Sequence, residues 1–356
     1  MQSEAKTCLL GLTAEEMRQA APLRSLPAYR ARQIYHWIYA RGVSDFAEMT
    51  DLPLELRATL EQTCTLSLDQ VEAITPGERR EAYKFLFRLE DSRLIESVLI
   101  NAGDRRTICV SSQAGCAYGC TFCATAAMGP GRNLSAKEIV SQVLAVRQQM
   151  RAEGFGETHN IVFMGMGEPL ANLRNLIPAV ELLQADEGLG VGNRRITVST
   201  VGLAPQIREL AESPIKVRLA FSLNATTDEV RDRLMPINQR YPFATVLEEL
   251  KYFQERKRMR VSFEYVLLRD VNDSDDDAMR LGRYARELDC KINAIVYNPH
   301  PASPFLPPGP ERVAQFVEAA SRIAPSVTVR YSKGQDILAA CGQLSTKWLD
   351  APTAAG

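Results

Sequence analysis

The chain has 356 residues, of which 46% are hydrophobic and 24% are charged, and its formal net charge is −1. This length and apolar content suffice for one large domain and a small one, so neither disulfides nor a structural metal is needed to hold a core together. The near-neutral charge excludes a protein that binds nucleic acid through an overall basic character, so any surface for RNA has to be local.

The beginning of the chain lacks the features of a secretory signal. The residues MQSEAKTCLLGL include an acidic and several polar residues where a signal needs a basic start and a longer apolar run. No later stretch approaches the roughly 18 apolar residues of a transmembrane helix. We therefore expect a soluble, cytoplasmic protein without a membrane partner. In the cytoplasm, the eight cysteines are better explained as metal ligands, catalytic thiols or buried residues than as a disulfide framework.

Residues 1–75 are predicted to form a small helical accessory domain. Apolar residues recur with helical spacing in Ala14–Ala20, Ala31–Ala40 and Leu54–Thr63, and proline and glycine separate these segments. The second segment mixes arginines with tyrosines and a tryptophan, residue types that suit phosphate contact and base stacking. Aromatic core residues beside solvated arginines would give the same pattern, so both explanations stay open.

From about residue 80, strands and helices alternate along the chain. The segments AYKFLFRLE and RLIESVLI predict a β-hairpin, so residues 76–104 are assigned to a hairpin linker. Six further strands are predicted at RTICVSS, NIVFMG, RRITVST, VRLAFSL, VSFEYVLL and KINAIVY, with helices near 136–151, 173–185, 203–212, 242–256, 275–289 and 310–323. This alternation predicts an α/β fold with a parallel barrel or open sheet over residues 105–330. A short strand at VTVRY leads into a C-terminal segment, residues 331–356.

Three cysteines with the spacing CxxxCxxC follow the first strand of the alternating region. They are Cys116, Cys120 and Cys123, in the segment CVSSQAGCAYGCTFCATAAMG. A structural zinc site needs four protein ligands, and no histidine lies nearby to supply the fourth. Three thiolates in one loop suit a [4Fe–4S] cluster with one open iron, which can bind the amino and carboxylate groups of S-adenosylmethionine (SAM). The alternative explanation is that three cysteines are buried in one loop by chance.

This cysteine motif, with Phe122 before its last cysteine, resembles the signature of the radical SAM superfamily. Further segments resemble the RlmN family of RNA methyltransferases, namely MGMGEPLAN, STVG, SLNA, LMPINQRYP, VNDS, INAIVYNP and AACGQL. These motifs extend from about residue 90 to residue 345 at the intervals of that family, and the N-terminal helices resemble its accessory domain. The resemblance implies a radical SAM partial (β/α)6 barrel with a small N-terminal helical domain.

The resemblance also implies SAM-binding residues directly after the predicted strands, where α/β sheets bind ligands. They are Gly167, Glu168, Ser199, Ser222, Leu223, Asn224 and Asn298. A glycine lets the backbone come close to a ligand, and the carboxylate of Glu168 can accept the SAM amino group. The family usually has histidine at position 224, and Asn224 can neither titrate nor stack as that histidine would. Without the resemblance, a tight turn or a strand-end cap would explain each of these residues.

Two catalytic cysteines and a catalytic carboxylate are implied in the same way. Cys341 would accept a methyl group from one SAM, and Cys109 would later resolve a protein–RNA adduct through a transient disulfide. Glu96 would accept the proton that leaves the adenine, although a carboxylate on a surface strand is its plain explanation. Taken alone, both cysteines would be interpreted as small buried residues, as are the cysteines outside the motifs.

The implied reaction is methylation of carbon 2 of adenosine 2503 in 23S rRNA, and of adenosine 37 in certain tRNAs. It would consume two SAM per turnover and take electrons from a donor such as flavodoxin. Carbon 2 of adenine is electron-poor, so polar attack on a SAM methyl group cannot methylate it and a radical route is needed.

Local basic residues are candidates for the RNA surface. Arg105, Arg106 and Arg132 flank the cysteine loop, and KYFQERKRMR forms a basic run, although such runs are usually solvated helix faces. Two other functions stay open. A Cfr-type enzyme would methylate carbon 8 of the same adenosine, which Pro169 disfavours, and an RNA-binding protein would use its metal only structurally.

Overall fold

The computed structural model describes residues 6–346. Its N-terminal part contains the helices α1 (Ala14–Gln19), α2 (Ala28–His36) and α3 (Leu54–Thr63), a π-helical turn at Trp37–Arg41, and the paired short strands β1 (Thr7–Cys8) and β2 (Cys64–Thr65). Tyr35 and Tyr39 are buried, whereas Trp37 donates a hydrogen bond to Asp51 near the surface. The two tyrosines are therefore core residues and not a surface on which RNA bases could stack.

The described residues contain one sheet of ten strands. In chain order these are β3 (Gln70–Pro76), β4 (Ala82–Arg88), β5 (Leu94–Ala102), β6 (Arg105–Cys109), β7 (Asn160–Phe163), β8 (Ile196–Thr200), β9 (Arg218–Ser222), β10 (Val261–Leu267), β11 (Lys291–Val296) and β12 (Val327–Arg330). Neighbours in sequence are neighbours in the sheet. Pairing is antiparallel from β3 to β6 and parallel from β6 to β12. This linear order leaves two free edges, as a partial barrel requires.

Helices connect the parallel strands. They are α4 (Ala124–Ala127), α5 (Ala136–Ala152), α6 (Leu173–Gln184), α7 (Ala204–Glu212), α8 (Asp228–Leu234), α9 (Phe243–Lys257), α10 (Asp275–Glu287) and α11 (Pro310–Ser321). Ser135 and Glu138 form a capping box at the start of α5, and Ser274 caps α10. The predicted alternation is confirmed, with α4 and α8 as additions. No helix among residues 6–346 is both long and apolar enough to cross a membrane.

The parallel strands enclose an interior that is partly polar. Successive side chains of a strand point to opposite faces of the sheet. On β9, β10 and β11, one set of alternate residues is large and buried, as at Phe221 and Phe263. The other set includes Ser222, Glu264 and Ile295, which line a common cavity. Because neighbouring strands contribute to the same cavity, this face of the sheet is the inside of the barrel.

Residues 70–76 differ from the prediction. The sequence predicts residues 70–75 as part of the helical N-terminal domain and Pro76 as the start of the hairpin linker, but together they form β3, which pairs antiparallel with β4. Every residue of β3 is exposed, so the segment has no buried face to mark it as a strand. The predicted hairpin is present as β4 and β5, and it continues the sheet because β5 pairs with β6.

Candidate active site

The cysteines of the CxxxCxxC motif line one cavity at the carboxyl ends of the parallel strands, which we call the three-cysteine cavity. Cys116, Cys120 and Cys123 lie on the loop after β6, and Cys123 is the N-cap residue of α4. Hydrogen bonds made by backbone groups of this loop hold it in place. The N–H of Cys116 donates to the carbonyl of Gly129 (2.9 Å), and Nε2 of His300 lies 3.0 Å from the carbonyl oxygen of Phe122.

The chemistry of these cysteines fits an iron–sulfur cluster. No group of three or more histidine, cysteine or carboxylate side chains among residues 6–346 converges on a single ion position, so the fit rests on the cavity that the three thiols share. Burial raises the pKa of Cys116 to about 12 and that of Cys120 well above its ordinary value. Both are therefore neutral thiols in the protein alone at pH 7. Thiolates are the ligands of iron, so cluster assembly would release protons here.

Gly167 and Glu168 form the turn after β7, packed against Gln113. Gly167 has a φ of +95°, and a Cβ atom there would lie 2.4 Å from Cβ of Gln113, so only glycine fits. The N–H of Glu168 donates to Oε1 of Gln113 (2.8 Å). Its carboxylate accepts from the N–H groups of Leu170 (3.1 Å) and Val201 (2.9 Å). These contacts fix the carboxylate on the wall of the three-cysteine cavity, with lone pairs left for an amino group.

Burial also sets the protonation of Glu168. It raises the pKa of this carboxyl to about 7, although hydrogen bonds from Val201, Thr200 and Leu170 lower it. The group is therefore close to half protonated at neutral pH in the protein alone. A bound ammonium group would favour the ionised form.

Three other predicted SAM residues line the same cavity. They are Ser199, Ser222 and Asn224. Asn224 adopts a left-handed conformation with a φ of +55°, and its Oδ1 accepts from the N–H of Val266 on β10 (2.9 Å). Its side chain thus holds two neighbouring strand ends together, a role that asparagine can fill without the ring of a histidine.

Leu223 and Asn298 are not among the described residues that line this cavity. Leu223 is fully buried, and its carbonyl accepts from Arg231. The carboxamide of Asn298 donates to Oγ of Ser332 (2.9 Å) and to the carbonyl of Cys341 (3.1 Å). Its side chain is thus engaged with the C-terminal segment, and its contact with SAM stays a prediction.

Cys341 lies on a wall between two cavities. One is the three-cysteine cavity, and the other, which we call the Cys109 cavity, is also lined by Cys109. Cys341 is exposed to solvent, but protein atoms packed around its thiol remove part of its hydration and so raise the pKa of the thiol. The pKa of Cys109 lies well above its usual range, mainly because the thiol is buried and to a smaller extent because Cys341 is near. All eight cysteines lie within the described residues, and none forms a disulfide.

Hydrogen bonds tie the segment of Cys341 to the cysteine loop. The N–H of Ala124 donates to the carbonyl of Gly342 (2.7 Å), and Oγ1 of Thr125 donates to the carbonyl of Leu344 (2.7 Å). Both donors belong to α4, which begins directly after Cys123. The position of Cys341 is thus set relative to the three-cysteine cavity.

Glu96 is fully buried, so its plain explanation as a surface carboxylate is wrong. Its Oε1 lies 3.1 Å from Nζ of Lys84, and its Oε2 accepts from the N–H of Ser345 (2.9 Å). Burial raises the pKa of Glu96, and Lys84 opposes this effect. Glu96 therefore contacts the segment that carries Cys341, but it is not among the described residues that line either cavity.

Sequence reasoning missed two buried charged residues. Glu264 on β10 is 5% exposed and lines both cavities. Arg231 on α8 is 1% exposed and donates to the carbonyls of Leu223 (3.1 Å) and Val201 (2.7 Å), so it joins the turns after β8 and β9. The available signal for Glu264 was a carboxylate within the otherwise largely apolar strand VSFEYVLL, since parallel strands are usually continuously apolar.

Several of the basic residues suggested as an RNA surface are engaged within the protein. Arg132 forms ion pairs with two carboxylates, and Lys251 forms one with Glu287. Lys257 is buried and donates to main-chain carbonyls. These contacts explain the three residues without RNA.

Comparisons with known proteins agree with this geometry. Residues 110–282 match the family model of the radical SAM superfamily, and residues 7–66 match that of the ribosomal RNA large subunit methyltransferase N-terminal domain. A protein of Geobacter sulfurreducens named dual-specificity RNA methyltransferase RlmN is 47% identical, over 97% of this chain and 94% of its own length. The chain belongs to the RlmN family.

Other RlmN relatives and a solved structure extend the likeness. The probable dual-specificity RNA methyltransferase RlmN of Aquifex aeolicus is 41% identical over 95% of this chain and 97% of its own length. The crystal structure of a radical SAM methyltransferase from Sphaerobacter thermophilus shares 44% identity and has a TM-score of 0.90, covering 95% of this chain and 99% of that chain. The predicted radical SAM fold with its N-terminal domain is confirmed.

Proposed function

We propose that this RlmN family member is a radical SAM methyltransferase that methylates carbon 2 of adenosine 2503 in 23S rRNA and of adenosine 37 in certain tRNAs. The name of its relatives, dual-specificity RNA methyltransferase, supports RNA as the substrate. The observation that carries the proposal is the position of Cys341, on a wall shared by the three-cysteine cavity and the Cys109 cavity. A methyl group on this sulfur would be accessible both from the cofactor side and from the resolving thiol.

The cofactors would occupy the three-cysteine cavity. Cys116, Cys120 and Cys123 would hold a [4Fe–4S] cluster, while Glu168, Ser199, Ser222 and Asn224 would surround SAM. When bound, these cofactors supply a carbon-centred radical that takes a hydrogen atom from a methyl group. Glu168 would bind the amino group of SAM, because its fixed carboxylate faces this cavity.

Cys341 would carry the methyl group as a thioether. Loss of one hydrogen atom leaves a methylene radical that the sulfur stabilises, and its carbon adds to carbon 2 of the adenine. The proton on carbon 2 then leaves to a base, and the remaining electron would return to the oxidised cluster held by the three cysteines, which restores the aromatic ring and leaves RNA bonded to Cys341 through the new carbon. Glu96 stays the predicted proton acceptor, and its hydrogen bond to Ser345 supports a second role in holding the segment of Cys341.

Cys109 would release the product. Its thiolate attacks Sγ of Cys341, an S–S bond forms, and the C–S bond breaks. The departing carbon keeps the electron pair and takes a proton, so that it becomes the methyl group of the product. Both thiols line the same cavity, and the raised pKa of Cys109 requires that its proton be removed for this step.

Mass spectrometry of nucleosides tests the proposal. A host that lacks its own RlmN, complemented with this chain, should gain 2-methyladenosine in 23S rRNA and in tRNA. Cys341→Ala should abolish the product, whereas Cys290→Ala, which changes a buried cysteine that lines neither cavity, should still form it. Detection of 8-methyladenosine would favour the Cfr-type reaction, and absence of any methylated adenosine would contradict the proposal.

A prediction for Cys109 tests the resolving step. Cys109→Ala should still assemble the cluster and acquire the methyl group on Cys341, but it should trap RNA covalently, since no thiolate can break the C–S bond. Denaturing gels of the reaction would reveal the adduct, which Cys290→Ala should not accumulate. Free methylated RNA at the wild-type rate from Cys109→Ala would exclude this role.

A further inference from the structure

A third cavity lies at the amino ends of β9, β10 and β11. Four cations line it, and we call it the basic cavity: Arg218, Arg260, Lys291 and Arg330. Met164 and Glu264 line this cavity as well as the three-cysteine and Cys109 cavities. Met164 and Glu264 therefore lie between the basic cavity and the two cavities that Cys341 lines.

The cations of the basic cavity lack counterions in the described part of the chain. All four are exposed, and none forms an ion pair with a carboxylate among residues 6–346. Burial lowers the pKa of Lys291, the charges of Arg330 and Arg218 lower it further, and the charge of Glu264 opposes them only in part. Like charges held together in this way attract a polyanion.

The floor of the basic cavity, formed by Glu264 and Asn293, carries hydrogen-bond acceptors instead of cations. Oε1 of Glu264 accepts from Oγ of Ser262 (2.8 Å) and from Nδ2 of Asn293 (2.6 Å). Oε2 of Glu264 and Oδ1 of Asn293 have no hydrogen-bond donor within the described structure, although both residues are at least nine-tenths buried. Buried acceptors without a donor are costly, so a ligand that donates two hydrogen bonds would be stabilised here.

We propose that the basic cavity and its floor bind the nucleotide that is methylated. The four cations hold phosphate groups of the RNA strand, and Glu264 and Asn293 accept hydrogen bonds from the exocyclic amino group of the adenine. This inference rests on the proposed function. It extends that function by describing how RNA enters the barrel and how the protein recognises the base. An adenine amino group has two N–H donors, whereas guanine presents a carbonyl oxygen at that position, which a carboxylate would repel.

The same contact favours carbon 2 over carbon 8. The amino group is attached to the six-membered ring of adenine and lies nearer to carbon 2 than to carbon 8, which belongs to the five-membered ring. Glu264 and Cys341 both line the three-cysteine cavity and the Cys109 cavity. An adenine whose amino group contacts Glu264 can therefore present carbon 2 to Cys341.

Removal of the amino group from the substrate tests the floor of the cavity. RNA hairpins carrying either adenosine or purine riboside at the target position are compared by their kcat/KM. Wild-type protein should prefer adenosine by roughly tenfold or more, the effect of losing a hydrogen bond to a charged group. Glu264→Ala should reduce this preference towards one, and Glu264→Gln, which keeps an acceptor oxygen, should give an intermediate value. Glu255→Ala, a change of an exposed carboxylate on α9, should keep the wild-type preference.

The salt dependence of RNA binding tests the cations. For the cluster-containing protein, Arg218→Gln, Lys291→Gln and Arg330→Gln should each weaken binding of the adenosine hairpin. Each should also reduce the slope of log Kd against log salt by about 0.7, as expected for one lost contact with single-stranded RNA. Arg283→Gln, which removes an exposed charge on α10, should leave the slope unchanged.

The outcomes separate this inference from the proposed function. If wild-type protein forms 2-methyladenosine but does not distinguish the two hairpins, or if Glu264→Ala keeps the wild-type preference, recognition by Glu264 is wrong. Unchanged salt slopes in all three cation variants would exclude the basic cavity as the RNA entrance. Failure of the wild-type protein to methylate any adenosine would instead refute the proposed function.

Discussion

Gly167 illustrates how closely the turn after β7 approaches Gln113. A methyl group at this position would meet Cβ of Gln113 at 2.4 Å, in a backbone conformation already unfavourable for other residues. Gly167→Ala should lower the free energy of unfolding by about 3 kcal/mol and weaken SAM binding, because the adjacent Glu168 would shift. Gly154→Ala is the matched control, since Gly154 also has a positive φ but no atom within 4 Å, and should cost about 1 kcal/mol. Equal losses in urea unfolding would contradict this account.

Glu168 should make the protein less stable as the pH rises through the weakly acidic range. Its pKa is about 7 in the folded chain, above the ordinary value of 4.5, so the folded chain keeps a proton that the unfolded chain has lost. The contribution of Glu168 to the free energy of unfolding should therefore fall from about pH 4.5 to about pH 7 and then level off. Urea unfolding of cluster-free Glu168→Gln, which cannot ionise there, should show a flatter pH dependence than wild type. The same slope in both proteins would refute this assignment.

The site residues that could be predicted from the sequence are those whose residue type and spacing indicate their chemistry. The three-cysteine motif and the pair Gly167 and Glu168 line the cavity that their motifs predicted. Glu264 was missed because a single carboxylate within a strand gives no indication of which cavity it faces. The partners of Glu96 were equally hidden, since Lys84 and Ser345 come close to it only through long-range packing.

Contacts with α4 and β5 help to hold the C-terminal segment in place. Thr125 is buried, and its hydroxyl donates to the carbonyl of Leu344. Thr125→Val keeps the shape of the side chain but removes the donor, so the segment should open more readily, by about 1–3 kcal/mol. Hydrogen exchange of the amide of Ser345 should accelerate accordingly, while the iron content stays at the wild-type level. Thr59→Val, which changes an exposed hydroxyl on α3, should not alter the exchange.

The strands and helices that were predicted correctly are mostly those that bury apolar residues. The long helices bury one face with a helical period, whereas the central parallel strands are buried almost continuously and appear as short apolar segments. β3 has no buried residue, so its pairing with β4 could not be foreseen from its own sequence. The short helices α4 and α8 were missed because one or two turns give too little periodicity to recognise.

The whole barrel brings together residues that are far apart in sequence. Cys109 at the end of β6 and Cys341 in the C-terminal segment line the same cavity, which no local pattern could establish. The basic cavity arises in the same way, because its cations lie at or directly beside the ends of four different strands. The net charge of −1 hides this local concentration of positive charge.

Transfer of the methyl group from Cys341 to RNA tests the central claim most directly. Protein with an isotopically labelled methyl group on Cys341 is mixed with RNA and unlabelled SAM, and the nucleosides formed in the first turnover are measured by mass spectrometry. We predict that 2-methyladenosine carries the label. A first product that contains only the unlabelled methyl group of the added SAM, with the label still on the peptide of Cys341, would contradict the account.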